Sequence, residues 1–180
     1  LTRSSIDVCL YTYASGSSIL WVLIYVDDAL ICDNDRALRA RFVADLSERF
    51  PTDDRGELGW ILNVGITRDR PQRTLVMSQA LYVSDLLDKF SSYIDPSSTR
   101  SFDTPLAEDV VLSPDDQPVV GSPAYDAMTP RHQDYMSIVG GLLWLANMTF
   151  PELAYPAGQL ARFLTNPGAS HLVAAVRVLL

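Results

Sequence analysis

Asp27 and Asp28 stand back to back between two apolar runs, residues 19–26 before them and residues 29–32 after. Runs of this kind, rich in Val, Ile and aromatic residues, read as strands buried on both faces, which puts the acidic pair at a tight hairpin turn. A turn selected for geometry alone would more often carry Asn-Gly or Asp-Gly. Two carboxylates about 4 Å apart repel by about 4 kcal/mol at an effective dielectric of about 20, unless a proton or a cation intervenes. The chemistry to expect of such a pair is the holding of a cation, although a solvated acidic turn has the same four letters.

Arg36, Arg39, Arg41, Arg49, Arg55, Arg68, Arg70 and Arg73 gather in the first half, and Asp103, Glu108, Asp109, Asp115, Asp116 and Asp126 in one later stretch. The total is 14 basic against 22 acidic residues, net charge −8, with Lys89 as the one lysine. That balance argues against a free-standing nucleic-acid binder, which carries a basic face to displace counterions, but it leaves room for a local basic surface. Arg68, Arg70 and Arg73 suit phosphate contact and solubility equally well. The arginines at positions 36–49 read as a solvated helix face. His132 and His171 have no ligand partner at helical spacing and no nucleophile motif beside them, so both read as structural. Cys9 and Cys32 lie in apolar runs without Cys-x-x-Cys spacing, which suits buried thiols rather than zinc or disulfides.

The elements that position the acidic pair follow from periodicity. Residues 7–13, 19–26 and 29–32 read as an antiparallel meander, with a turn at residues 14–18. Asp33, Asn34 and Asp35 offer N-cap side chains to a helix carrying Leu38, Phe42, Leu46 and Phe50 every four residues, ended by Pro51. Residues 60–68 and 75–78 flank a charged loop with a proline and form a second hairpin. Ser78 then caps a helix with Val83, Leu86, Leu87 and Phe90 inward. Across residues 91–128 Ser, Pro, Asp and Gly dominate and periodicity disappears, the mark of a long, partly disordered connection. Thr129-Pro130 opens a helix with Tyr135, Ile138, Val139, Leu142, Leu143 and Ala146 on its buried stripe. A helix after Pro151 must start late or kink at Pro156. The last helix covers residues 170–180 with its apolar end uncovered. The expected organisation is 1–90, 91–128 and 129–180, in a chain that looks cut at both ends. No apolar stretch reaches the 18 residues of a membrane span, and the chain reads as soluble and intracellular.

Tyr25-Val26-Asp27-Asp28 is a weak pattern alone, and its neighbours sharpen it. In order come Cys9-Leu10-Tyr11, then Gly56-Glu57-Leu58-Gly59-Trp60, Val64-Gly65-Ile66, Met77-Ser78-Gln79 and Thr104-Pro105-Leu106. Val139-Gly140-Gly141-Leu142-Leu143-Trp144-Leu145-Ala146, Leu160-Ala161-Arg162-Phe163 and His171 with Ala174-Ala175 and Arg177-Val178-Leu179 complete the series. Over about residues 6–180 the chain resembles the copia-type reverse transcriptase of LTR retrotransposons. The resemblance implies an α+β fold: an antiparallel palm-type sheet with packed helices in residues 1–90, followed by a helical thumb or connection subdomain. It implies an RNA-directed DNA polymerase in which Asp27 and Asp28 are catalytic and hold two magnesium ions together with an aspartate from an earlier palm strand. Tyr25 and Val26 then line the primer terminus and nucleotide pocket, and Trp60 and Arg68 belong to a primer-gripping hairpin. The implied partners are an RNA template, a DNA primer, a deoxynucleoside triphosphate and the rest of a polyprotein, with fingers and early palm upstream and RNase H downstream. The implied location is the cytoplasm, within a virus-like particle, with the nucleus as a further compartment.

Departures from the pattern matter. The earlier metal-binding aspartate is absent, and Asp7 is no substitute, because the residues after it fit the strand just before the acidic hairpin. Asn63 stands where glycine is usual, which is tolerable at positive φ. Met136 and Phe150 stand where arginines are common, and Pro156 enters a helix. The 180 residues alone are therefore expected to be inactive, with an exposed sheet edge that promotes aggregation. The alternative is a non-catalytic relic or a palm-like binding module.

Overall fold

The computed structural model describes residues 1–95, 102–107 and 111–180, and it divides into the units Leu1–Gly59 and Trp60–Leu180. In the first unit, β1 (Thr2–Arg3), β2 (Leu10–Ser15), β3 (Ser18–Tyr25) and β4 (Asp28–Asp33) form an antiparallel sheet in the order β1-β2-β3-β4. The expected strand over residues 7–13 starts late. The Asp7 carboxylate accepts the Cys9 N–H at 2.8 Å and its carbonyl accepts the Leu10 N–H, so residues 7–9 turn instead. Ser15 pairs with Ser18 across a two-residue turn that Gly16 opens at φ +59°.

β3 was expected to be buried on both faces, and it is not. Leu20 and Val22 are each 2% exposed while Trp21 between them is 52% exposed, so one face of the sheet is covered and the other open. Cys32 pairs across from Trp21 on the open face, and Cys9 lies in the turn before β2. Both thiols are therefore exposed rather than buried. α1 (Arg36–Ser47) packs on β3 and β4 through half-buried Leu38, Phe42, Val43 and Leu46. Its N-cap is Asp35, whose carboxylate accepts the N–H groups of Ala37 and Leu38 at 3.0 and 3.1 Å. Phe50 continues the spacing but falls past the helix end, and it is exposed.

In the second unit, β5 (Trp60–Ile61), β6 (Val64–Asp69) and β7 (Thr74–Ser78) form a three-stranded antiparallel sheet. The expected single strand over residues 60–68 is broken by Leu62 and Asn63, at φ +51° and +62°, the two-residue type I′ pattern that joins β5 to β6. Asn63 thus occupies a left-handed position, as its tolerance there requires. α2 (Ala80–Lys89) follows; the Ser78 hydroxyl accepts the Ala80 N–H at 3.3 Å, while Gln79 takes the cap position itself.

The remaining helices are α3 (Pro123–Met128), α4 (His132–Met148), α5 (Ala154–Ala161) and α6 (Ala169–Leu179). Tyr135, Ile138, Val139 and Leu142 of α4 meet Ala157 and Leu160 of α5 and Leu172, Ala175 and Val178 of α6 in one core. Leu86 and Phe90 belong to the same core. The chain accordingly divides at Gly59–Trp60 and not after residue 90, because α2 buries its apolar stripe against the later helices. Within residues 91–128, positions 96–101 and 108–110 lie outside the described residues, as does that part of the expected disorder. The described remainder is ordered on the core through Leu112 and Met128. Helix begins before Thr129-Pro130: Ser122 caps Pro123 by accepting the Tyr125 N–H, and a 3₁₀ turn at Thr129–Arg131 leads directly into α4. Pro156 sits in the first turn of α5 after a 3₁₀ turn at Pro151–Leu153, where its missing N–H had no intrahelical acceptor to lose.

Candidate functional site

The ladder between β3 and β4 closes with Tyr25 opposite Asp28, which leaves Val26 and Asp27 as the two turn residues. The acidic pair is therefore displaced by one position from the expected turn: Asp27 is the second turn residue and Asp28 begins β4. Val26 has φ +53° and is the one turn residue with positive φ, the type II′ pattern whose twist matches the flanking strands. A β-branched residue there is strained. Tyr25 and Asp28 are direct cross-strand partners, so their side chains leave the same face of the sheet.

All four residues at this tip are exposed, Val26 by 81%. Among the described residues, neither carboxylate forms an ion pair with a basic side chain, and no group of three or more His, Cys, Asp or Glu side chains comes together that could hold a metal. The donor set at the tip is two carboxylates. Magnesium is commonly held by one or two carboxylates with waters and substrate phosphates, so the pair fits part of such a shell and needs oxygens from elsewhere.

Trp60 and Arg68 belong to the second unit. The Trp60 ring lies over Gly65, its cross-strand partner, and remains half exposed. Arg68 pairs with Leu75, and with Asp69, Arg70, Arg73 and Thr74 these two line an open concavity of about 330 Å³ at the loop end of β6 and β7. The loop is held by the Asp69 carboxylate accepting the Gln72 N–H at 2.9 Å.

Both histidine rings meet backbone groups of the second unit. His132 Nε2 meets the Leu164 carbonyl at 2.6 Å. His171 is fully buried and stacked on Phe163, with ring centroids 4.0 Å apart. Burial lowers its pKa from the ordinary 6.5, opposed in part by the Ser113 carbonyl and the Asp116 charge. Sequence periodicity gave no sign of Gln79, which is buried and accepts the Thr149 hydroxyl at 2.8 Å, tying the end of β7 to the C-terminus of α4. No pattern along the chain marks a contact between residues so far apart.

No family model matches the chain, and no solved structure does. Among the proteins it is similar to are retrovirus-related Pol polyproteins of transposons. That from transposon TNT 1-94 of Nicotiana tabacum is 35% identical over 92% of this chain and 12% of its own length. That from transposon RE1 of Arabidopsis thaliana is 33% identical over 96% of this chain and 11% of its own. A putative transposon Ty5-1 protein of Saccharomyces cerevisiae is 27% identical over 94% of this chain and 51% of its own length. The chain thus spans about an eighth of the length of the first two relatives.

Proposed function

We propose that the chain is the later palm and following helical segment of a copia-type reverse transcriptase, an RNA-directed DNA polymerase, with Asp27 and Asp28 as its part of the metal site. The observation that carries this reading is the pair of unpaired, exposed carboxylates at a two-residue hairpin tip directly after Tyr25-Val26. Its second support is the similarity to transposon Pol polyproteins along almost the whole chain.

In this reading Asp27 and Asp28 bind magnesium jointly with a carboxylate from another part of the polyprotein. Bound there, the two ions supply Lewis-acid stabilisation to nucleotidyl transfer. The rest is positioning by this chain. The β3–β4 ladder fixes the spacing of the carboxylates, and the II′ turn keeps both at the exposed end of the hairpin. Tyr25, on the same face as Asp28, and Val26, at the outermost point of the turn, border the place where a primer end and an incoming nucleotide meet. Trp60 and the Arg68 hairpin serve the primer strand, where arginine positions a phosphate without reading sequence. An RNA template, a DNA primer and deoxynucleoside triphosphates are the substrates of the whole enzyme.

The test is to place residues 1–180 in the corresponding stretch of an active transposon polymerase and measure templated incorporation. Incorporation is expected, with loss of at least about a hundredfold in Asp27→Asn, the scale of removing an electrostatic group from such a site. The isolated chain is expected to incorporate nothing, while Mn²⁺ selectively broadens the Asp27 and Asp28 resonances. Full activity of the Asp27→Asn chimera, or robust incorporation by the isolated chain, overturns the proposal.

A further inference from the structure

We propose that His171 is a proton-sensitive clasp: when its imidazole takes up a proton, the acidic segment 112–118 is released from the loop that precedes α6. The segment crosses the second unit by side-chain-to-backbone bonds in both directions. Gln117 Nε2 donates to the Asn166 carbonyl and Asn166 Nδ2 donates to the Pro118 carbonyl, both at 3.0 Å. His171 joins the two strands of this contact. Its Nδ1 accepts the Gly168 N–H at 2.9 Å, and its Nε2 faces the Ser113 carbonyl at 3.2 Å.

These partners determine the tautomer. An amide N–H can only face an unprotonated nitrogen, so Nδ1 is bare and Nε2 carries the proton that it donates to Ser113. His171 is the third residue of α6 and reaches back to the N–H of the cap residue Gly168, the position a Glu or Gln takes in a capping box. An imidazolium has two donors and no acceptor. Protonation therefore sets Nδ1–H against Gly168 N–H across 2.9 Å, so the ring must turn away from the cap, and turning draws Nε2 off the Ser113 carbonyl that it holds on the segment.

His132 lacks this property. It meets the Leu164 carbonyl through Nε2, and a donor to a carbonyl keeps its bond when the other nitrogen is protonated. Among the described residues, the charges on the elements packed against His171 are few. Asp115 and Asp116 lie on the docked segment, with the Asp116 carboxylate turned to the Ser113 N–H at 3.3 Å. From the end of α5, Arg162 lies over the Phe163 ring on which His171 stacks. α6 itself adds Arg177, which is engaged over Phe102, and α4 adds His132 and Asp134, the latter bonded to Tyr93.

The sign follows from burial. The docked imidazole has a lowered pKa, whereas in the released state it returns toward 6.5, so protons bind the released state preferentially. The clasp is complete above about pH 6.5 and weakens as pH falls through that value toward the docked pKa.

The experiment is amide hydrogen exchange on the full 180-residue chain between pH 7.5 and 5.0, corrected for intrinsic rates, with the His171 ring followed by NMR. Protection at Gly168 and across residues 113–117 should fall at least about tenfold on acidification, tracking the His171 titration, while the α4 amides keep theirs. His171→Gln retains an acceptor for Gly168 and a donor for Ser113, and it should hold the segment at both pH values. His132→Gln should respond to pH as the unsubstituted chain does. Unchanged protection of residues 113–117 at pH 5.0, or an undiminished pH response in His171→Gln, overturns the proposal.

Discussion

The main-chain oxygen of Asp116 stands where the first carbon of a side chain on Gly168 would have to be. Gly168 has an extended backbone at φ −91°, so no conformational need calls for glycine here; the need is one of space. The neighbour is backbone, held in a 3₁₀ turn, and it cannot swing aside. Gly168→Ala is expected to lower stability by about 3 kcal/mol, the upper range for overpacking, in urea denaturation. Gly158→Ala, with open space around it in α5, should instead raise stability by about 0.5 kcal/mol. Equal effects of the two substitutions would mean that the segment and α6 are not in contact.

Val26 bears its strain at the acidic tip. Val26→Gly frees the turn's first position, where II′ geometry favours glycine, and should stabilise the hairpin by about 1 kcal/mol. Amide exchange of the β3 and β4 residues beside the turn reads this directly. Slower exchange is expected, and no change would show that the valine sits there without cost.

Asp35 links the first helix to pH. Its carboxyl pKa is lowered from 3.8, chiefly by the Leu38 N–H, then by the Ser18 hydroxyl, whose Oγ lies 2.8 Å away. A lowered carboxyl stabilises the fold fully above its unfolded pKa and loses that contribution as pH falls through the folded value. The start of α1 should therefore fray progressively below about pH 3.8. Asp35→Asn keeps an acceptor at the cap and should abolish this response, as followed by Ala37 and Leu38 amide exchange. A pH response that persists in Asp35→Asn would place its origin elsewhere.

Much of the architecture is legible locally. The β3–β4 hairpin, the N-cap at Asp35, the apolar stripe of α4 and the late start of the helix containing Pro156 follow from alternation, capping chemistry and the missing proline N–H. Less legible were the points where one residue competes with its neighbours. The Asp7 side chain turns residues 7–9 before a strand can form, and Leu62-Asn63 breaks an apolar run that reads as continuous. In the candidate site the acidic pair was visible, but its one-residue displacement from the turn depends on register, which the cross-strand pairing of Tyr25 with Asp28 decides.

By itself the sequence determined which residues carry charge at the hairpin tip, which segments alternate or repeat as strand or helix, and which polyproteins the chain is similar to. These are properties of short windows or of residue identity. Only the tertiary structure decided that one face of β3 stays open, that Cys9 and Cys32 are exposed, and that α2 joins the later helices so that the chain divides at Gly59–Trp60. It alone brought Ser113, Asp116 and Gln117 against Asn166, Gly168 and His171. The reason is that burial and long-range hydrogen bonds depend on which surfaces meet, and no local period encodes the partner.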